Sequence, residues 1–338
     1  MRQLLMLFTR QLLMLLIFSL PTVAADVNTF SIVGYDPVNG DWGVAVASRY
    51  FSVGSVVPWA EAEVGAIATQ ANVNVGYGPR GLQLLKQGLS AKSVLMKLLA
   101  EDTFPPTDGR QVAIIDSKGR IAAYTGLKAE KWAGDQHGKS WTAQGNNLVG
   151  SQVLEAMGKA FEATRGELAE KLFAALKAGD DAGGDSRGKQ SASILVVRKR
   201  GGRNTNNDRY VSINVDDNPA PIKELRRLLD INLGLLYSEK VGPLLIAGKA
   251  REARDAAAKG ANYMPTANSF FLLGTMDYAI NDKTTALADF HKAIKLDPGV
   301  RHRLQSPSDK VPPGYGILSR ALRQILQDRD FLKQVWAQ

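Results

Sequence analysis

As far as about residue 220, the chain alternates between two kinds of apolar pattern. Short apolar, β-branched runs predict strands, and apolar residues spaced three or four apart predict helices that come in pairs. The strand-like runs are Thr29–Tyr35, Trp42–Ser48, Val53–Trp59, Val64–Gln70, Gln111–Asp116, Ile121–Gly126, Ser191–Arg198 and Tyr210–Val215. The order is therefore strands, a helix pair, strands, a second helix pair and strands.

This order predicts an α+β fold. Two antiparallel sheets placed between two helix layers would bury the apolar faces, which makes a four-layer αββα sandwich. A parallel doubly wound fold would instead need single helices alternating with single strands. No GxGxxG motif follows the first strand, so a dinucleotide-binding domain is not expected.

Strand periodicity ends at Asn218–Pro221, and the rest of the chain predicts helices. A helix is expected over Ile222–Tyr237. From Ala267, a 34-residue window has the spacing of a tetratricopeptide (TPR) repeat, and it consists of Phe270, Leu273, Gly274, Ala286, Phe290, Ala293 and Pro298. A weaker copy precedes it at Ala253, Ala257, Gly260 and Pro265. A generic helical hairpin is the alternative.

The repeat pattern differs from the usual TPR sequence at one position, and a further helix is expected to follow it. Asp277 stands where the repeat usually has tyrosine. A helix over Ile317–Val335 is expected to cap the array, because stacked repeats need a neighbour that covers the last apolar face. The sequence therefore predicts an all-α, TPR-like region after the sandwich.

The first 25 residues have the features of a signal peptide. Arg2 and Arg10 make the N-terminal segment basic, an apolar run over Leu12–Leu20 follows, and Val23 and Ala25 make a small-residue cleavage site. The domains predicted are thus a signal peptide at 1–25, the sandwich at 26–220 and the helical region at 221–338. We expect export to the periplasm or the medium; a retained N-terminal anchor helix is the alternative.

The composition and charge of the chain exclude several kinds of functional site. The chain has 338 residues, no cysteine and three histidines, which excludes disulfides, thiolate nucleophiles and cysteine metal sites. No HExxH pair occurs, so no metal or cofactor is predicted. The chain has 42 lysine and arginine residues and 33 aspartate and glutamate residues. Residues 221–338 contain 18 of the basic residues and 12 of the acidic ones. A basic excess of this size most often serves solubility.

A hydrolase with this composition has few ways to activate a nucleophile. One is a threonine or serine hydroxyl whose base is the α-amine of the same residue at a free N-terminus. Thr29 opens the first predicted strand, and Ala68–Ala71 ends another ahead of the first helix pair. Backbone amides at such a junction can stabilise an oxyanion.

Four separated blocks carry a family resemblance. They are TFSIVGYDPVNGDWGVAVASRYFSVGSVVPWAEAEVGAIATQANVNVGYGPRG, RQVAIID with AAYTG, QGNNLVG and GGDSRGKQSA. Together they resemble the family catalogued as domain of unknown function 1028, over Thr29 to about Val215. That family is placed among the N-terminal-nucleophile (Ntn) hydrolases, so the resemblance implies the αββα fold and an amidohydrolase-like site; it does not name a substrate.

The resemblance places Thr29 where many relatives begin after processing, whereas this chain has Asp26, Val27 and Asn28 ahead of it. Candidate catalytic residues are those in the matching blocks: Thr29, Ser48, Arg49, Thr69, Gln70, Asn146, Asp185 and Arg187. Each candidate also has a purely structural interpretation. Thr29 could simply start a strand, and Ser48, Thr69 and Gln70 could simply end strands. Arg49 could be a surface arginine, Asn146 a helix cap, and Asp185 with Arg187 a salt-bridged turn.

Three functions follow as hypotheses. The first is an exported Ntn-type amidohydrolase that acts on an amide-containing small molecule or peptide through Thr29. The second is a non-catalytic envelope binding module whose TPR-like region docks a protein partner. The third is a glycan or cell-wall binder that uses the basic C-terminal region. A homo-oligomer stays open, and no nucleic-acid partner is expected.

Overall fold

The computed structural model describes residues 26–27, 29–305 and 316–337; the predicted signal peptide at 1–25 lies outside them. The strands are β1 (Asp26–Val27), β2 (Thr29–Asp36), β3 (Asp41–Ser48), β4 (Pro58–Glu61), β5 (Gly65–Asn72), β6 (Arg110–Asp116), β7 (Ile121–Thr125), β8 (Gly134–His137), β9 (Trp141–Gly145), β10 (Ser191–Arg198) and β11 (Arg209–Val215). The helices are α1 (Tyr77–Lys86), α2 (Ala91–Glu101), α3 (Gln152–Ala163), α4 (Leu168–Asp181), α5 (Pro221–Ile246), α6 (Ala250–Tyr263), α7 (Ala267–Ala279), α8 (Lys283–Leu296), α9 (Val300–Gln305), α10 (Gly316–Gln327) and α11 (Arg329–Trp336).

The strands form two antiparallel sheets. One sheet has the order β1–β5–β6–β7, with β4 also paired to β5. The other has six strands in the order β11–β10–β3–β2–β9–β8. The predicted α+β class is confirmed, because every pairing between these strands is antiparallel and the helices occur in pairs between strand groups.

Three apolar layers hold the sandwich together. Val33 of β2 and Ala68 of β5 lie in the layer between the sheets. Ile67 of β5 packs in a second layer with α1 and α2. Phe30 of β2 packs in a third layer with α3, α4 and the first half of α5. Neighbouring residues of one strand thus enter opposite layers, as the period of two requires, and the order of layers is αββα.

Two local predictions were wrong. The run Val53–Trp59 is a 3-10 turn at Val53–Ser55 followed by β4, because Ser52 adopts a left-handed φ of 53° and the turn bonds within itself. Strands β8 and β9 lie after Gly126, in a stretch where the sequence predicts no strand. Both strands are polar in composition, so they lack the apolar alternation that predicts a strand. β9 is held by its pairing with β2 instead.

The C-terminal region is helical and is compatible with the TPR-like prediction at the contact between α7 and α8. A Cβ on Gly274 would lie 3.2 Å from the Ala286 carbonyl oxygen, so α7 and α8 approach closely there. Phe290 fills the groove beside them and meets Phe271 and Phe331 edge to face, with ring centroids 5.5 and 6.0 Å apart. The single helix predicted over Ile317–Val335 is two helices, because Asp328 caps α11 through the Phe331 amide.

Helix α5 belongs to both regions. Its first half places Ile222, Leu225 and Leu229 in the outer layer of the sandwich. Its second half places Val241 and Leu245 in the helical core. The boundary predicted at 220 therefore precedes a helix that the two cores share. None of the helices in the described residues is long and apolar enough to cross a membrane.

Candidate functional site

Polar side chains gather between the two sheets, where several strands begin or end. Alternate residues of a strand face the opposite sheet, and Val33, Val44, Ala68 and Ala113 mark that face in β2, β3, β5 and β6. When the same alternation is followed to the strand ends, it places a set of polar residues on this inter-sheet face. All of them are buried: Thr29, Ser31, Ser48, Gln70, Gln111, Gln144 and Asn146. A polar group in such a layer is costly unless it is hydrogen-bonded.

Thr29 and Ser48 form a pair of hydroxyls at the centre of this group. Thr29 begins β2 and lies directly opposite Ser48, the last residue of β3. Thr29 Oγ1 donates to Ser48 Oγ over 3.1 Å, and the Thr29 side chain has no exposed surface. The structure thus brings together two of the candidate residues that are 19 positions apart in the chain.

The main chain of Thr29 is held from both sheets. Its carbonyl oxygen accepts from Gln70 Nε2 over 3.1 Å and from the Asn146 backbone amide over 3.0 Å. Gln70 belongs to the opposite sheet, and Asn146 follows β9 in the same sheet. Two donors on one carbonyl fix the Cα of Thr29, so Gln70 and Asn146 orient the residue whose hydroxyl the sequence singles out.

Gln111 connects these two donors, and sequence reasoning missed it. Its Oε1 accepts from Gln70 Nε2 over 2.8 Å and from Asn146 Nδ2 over 2.9 Å. Its Nε2 donates to the carbonyls of Gly134 and Gly145. The sequence signal that could have identified Gln111 is its position in an otherwise apolar strand. It lies two residues before Ala113 and therefore on the same inter-sheet face.

Two further buried groups complete the network, and the sequence did not single them out. Ser31 Oγ donates to Gln70 Oε1 over 2.6 Å. Gln144 Nε2 donates to the Ala68 carbonyl over 3.2 Å and so joins the two sheets a second time. The arrangement made by these residues is built of neutral amides and hydroxyls, which can donate hydrogen bonds to a developing oxyanion but cannot act as a base near pH 7.

The backbone ahead of Thr29 crosses from one sheet to the other. Asp26 and Val27 pair with Asn72 and Ala71 of β5, whereas Thr29 pairs with Ser48 in the opposite sheet. In this form of the chain the Thr29 nitrogen is an amide that belongs to the Asn28–Thr29 peptide bond. An amide nitrogen cannot take a proton from the hydroxyl.

Asp185 organises the loop next to the hydroxyl pair. Its carboxylate accepts from the Arg49 backbone amide over 3.1 Å, and Arg187 donates to it at 2.8 and 3.1 Å. The Arg49 guanidinium donates to the Arg187 carbonyl. The Gln190 amide donates to the Ser48 carbonyl over 3.0 Å. The predicted Asp185–Arg187 loop therefore lies against the end of β3, and its ion pair supports the strand end that holds Ser48.

Thr69 lies apart from the group. As a neighbour of Gln70 in β5 it faces the helix side of its sheet, where its hydroxyl donates to the Asn74 carbonyl over 3.3 Å. Its backbone amide donates to the Val57 carbonyl over 3.2 Å. An oxyanion hole needs an amide that is free to donate, so the structure does not favour the oxyanion role expected for Thr69.

A buried ion pair anchors the loops at the same end of the sandwich. Arg110 Nε and the Tyr77 hydroxyl each donate to Asp102 over 2.7 Å, and neither charged side chain is exposed beyond 1 %. Burial raises the pKa of Asp102, but hydrogen bonds from Arg110 and Tyr77 outweigh it and hold the pKa below its ordinary value. Because Arg110 precedes Gln111, this pair also fixes the start of β6.

Two of the three histidines lie outside the polar group around Thr29. His137 is exposed at the end of β8, and His291 lies 3.2 Å from the Gln334 carbonyl in the helical region. Within residues 29–305 and 318–337, no group of three or more His, Asp and Glu side chains could hold a metal ion.

Comparison with known proteins places the N-terminal region in a family. The family model described as "Family of unknown function (DUF1028)" matches residues 29–225. The crystal structure of protein SPO2555 from Silicibacter pomeroyi, of the DUF1028 family model, is similar to this chain, with a TM-score of 0.54 and 31% sequence identity. The similarity covers 60% of this chain and 84% of that chain. No curated protein matches the sequence.

Proposed function

The chain belongs to the DUF1028 family, and from that premise we propose that it is an exported amidohydrolase of the Ntn type. Thr29 would be the nucleophile once processing makes it the first residue. The αββα order of layers and the position of Thr29 at the start of a strand, between the sheets, agree with that class. Because a fold alone does not give a function, the proposal depends on the site.

One observation carries the proposal: the hydroxyl of Thr29 lies in a buried polar network that holds the residue from both sheets. Its carbonyl has two donors, and its Oγ1 lies 3.1 Å from Ser48 Oγ. A residue that merely begins a strand needs no such support. Burying this many amides between sheets costs stability, and a positioned nucleophile would account for that cost.

The chemistry follows from a free α-amine. That amine has a reference pKa of about 7.7–8.0, so part of it is neutral near pH 7 and can take the proton from Oγ1. The oxygen then attacks the amide carbon of the substrate, the amine product leaves with the proton, and water hydrolyses the ester that remains on Thr29. The side-chain amides of Gln70 and Asn146 lie beside Thr29, and to stabilise the oxyanion they would have to exchange a present acceptor, the Thr29 carbonyl or Gln111 Oε1, for it.

Processing and export belong to the same proposal. The segment 1–25 would direct export, and a second cut after Asn28 would free the Thr29 amine. Removal of Asp26 and Val27 would also take away the short strand that now pairs with β5 beside the site. The TPR-like helices would then offer a surface for a protein partner.

A second candidate is a non-catalytic envelope binding module. It is favoured by the absence of any exposed surface on Thr29. In that case the network would be a structural crosslink between the sheets. The two candidates differ in whether the protein hydrolyses amides after trimming.

The test compares two forms of the protein on a panel of fluorogenic acyl-amide and peptide-amide substrates. One form begins at Asp26, and the other begins at Thr29 after its initiator Met is removed. We expect hydrolysis only from the second form. Thr29→Ala should lower it by about 10⁴-fold or more because the nucleophile is gone, whereas Thr29→Ser should keep part of it.

The matched control is Thr142→Val, a buried threonine of β9 whose hydroxyl has no hydrogen-bond partner in the described chain. It should leave the rate unchanged. Mass spectrometry of the mature protein gives its first residue independently. Equal rates for the forms that begin at Asp26 and Thr29, or full activity in Thr29→Ala, would contradict the nucleophile and favour the binding module.

A further inference from the structure

An open cleft lies between the C-terminal end of α4 and the start of α5, away from Thr29. It encloses about 470 Å³, within the range of small-molecule sites. Its lining is largely apolar and comes from Phe173 of α4 and the segment Pro219–Ile222. Pro219 and Ala220 remain exposed, so the apolar wall is open to solvent.

Most of the cationic side chains around the cleft are paired with acidic side chains. Lys177 pairs with Asp181 at 2.5 Å, and Lys189 pairs with Asp180 at 2.7 Å. Arg226 stacks on the Phe173 ring at 4.8 Å and pairs with acidic residues of α4 and α5.

Lys223 is the remaining cation of the lining. It is exposed, and it forms no ion pair within the part of the chain that the structure describes. Each of the other three has an acidic partner at or beside the cleft, so Lys223 alone is free to pair with a ligand.

The start of α5 adds to the positive potential beside Lys223. Ala220 precedes the helix and supplies no side-chain cap, and Pro221 has no N–H. The first-turn amides of a helix of 26 residues therefore end at the cleft next to that lysine. An apolar wall with one uncompensated positive charge is complementary to an apolar molecule with one negative charge.

We propose that this cleft binds a small amphiphile with an apolar chain and a single carboxylate. The chain would lie along Phe173 and Pro219–Ile222, and the carboxylate would pair with Lys223. The inference is independent of hydrolysis, since it concerns binding alone. Pro221 and Ile222 also line a smaller cavity that reaches Ser48, so a ligand here would lie behind the end of β3.

The test is isothermal titration calorimetry of the purified protein with decanoate, below its micelle concentration. Decan-1-ol and decyltrimethylammonium serve as neutral and cationic probes of the same chain length. We expect saturable binding of one decanoate, at least tenfold tighter than either other probe. Equal binding of the alcohol would overturn the role of the charge, and no saturable binding of decanoate would overturn the site.

Two variants assign the binding to this cleft. Ala220→Trp fills the apolar wall from an exposed position, so it should abolish binding without unfolding the protein. Lys223→Glu should weaken decanoate binding at least tenfold and leave the alcohol unaffected. The matched control is Lys92→Glu on α2, also exposed, which should change nothing. Binding that survives both Ala220→Trp and Lys223→Glu would place decanoate elsewhere and overturn the proposal.

Discussion

The space between the two sheets and the contact between α7 and α8 bury different kinds of polar group. Between the sheets the buried groups are neutral amides and hydroxyls, and Gln111 joins two of the amides through one oxygen. Between α7 and α8 they are carboxylates, because Asp277 and Asp289 are both buried. Neutral groups keep their hydrogen bonds over a wide pH range, whereas the raised pKa of Asp277 ties stability to the protonation of that carboxyl.

The carboxylates of the helical region are held by few cations. Arg254 of α6 donates to Asp277 over 2.6 Å, and Lys292 donates to Asp289 over 2.9 Å. Burial raises the pKa of Asp277 to about 6; the hydrogen bond from Arg254 opposes the rise, and Asp289 adds to it. The raised pKa belongs to the residue at which the sequence departs from the repeat pattern, and it predicts that the stability of this region depends on pH.

The largest effect should come from separating the two regions within α5. A chain that ends at 220 loses the side chains of Ile222, Leu225 and Leu229 from the outer layer of the sandwich. At about 1.5–3 kcal/mol for each buried side chain, it should be at least about 5 kcal/mol less stable than a chain that ends at 247. Urea unfolding of the two fragments measures this. Equal stability would show that the sandwich does not need α5.

Removing the central amide should have the next largest effect. Gln111→Leu leaves Gln70 Nε2 and Asn146 Nδ2 without their shared acceptor, so we expect a loss of about 2–4 kcal/mol in the free energy of unfolding. Thr142→Val in the same layer is the control, and it should cost less than about 1 kcal/mol because that hydroxyl has no partner in the described chain. A small effect of Gln111→Leu would mean that the network relaxes around the change.

The smallest effect should appear in the pH dependence of the helical region. The pKa of Asp277 is higher in the folded state than in the unfolded state, so its contribution is present at low pH and is lost as pH rises through about 6. Between pH 4 and 7 the loss should be at most about 3 kcal/mol. Asp277→Asn should flatten this dependence, and the exposed Asp330→Asn should leave it unchanged. Thermal unfolding against pH would refute the idea if both variants kept the wild-type slope.

The sequence by itself determined the elements with strong periodicity. The alternation in Thr29–Tyr35 and Trp42–Ser48 predicted two strands that the structure contains, and the repeat spacing predicted the close contact of Gly274 with Ala286. Period also fixes which residues of one strand share a face, so Thr29 and Val33 could be placed on one side of β2. These features are local because they depend on the backbone geometry of single elements.

Only the tertiary structure decided which of these residues meet. Gln111 contacts Gln70 within one sheet and Asn146 from the other, and no period in the chain encodes that meeting. Thr69, one residue from Gln70, lies on the opposite face and leaves the group. The physical reason is that contact between sheets depends on their stacking and on the register of several strand pairs, whereas the period of two fixes only the face of a single strand.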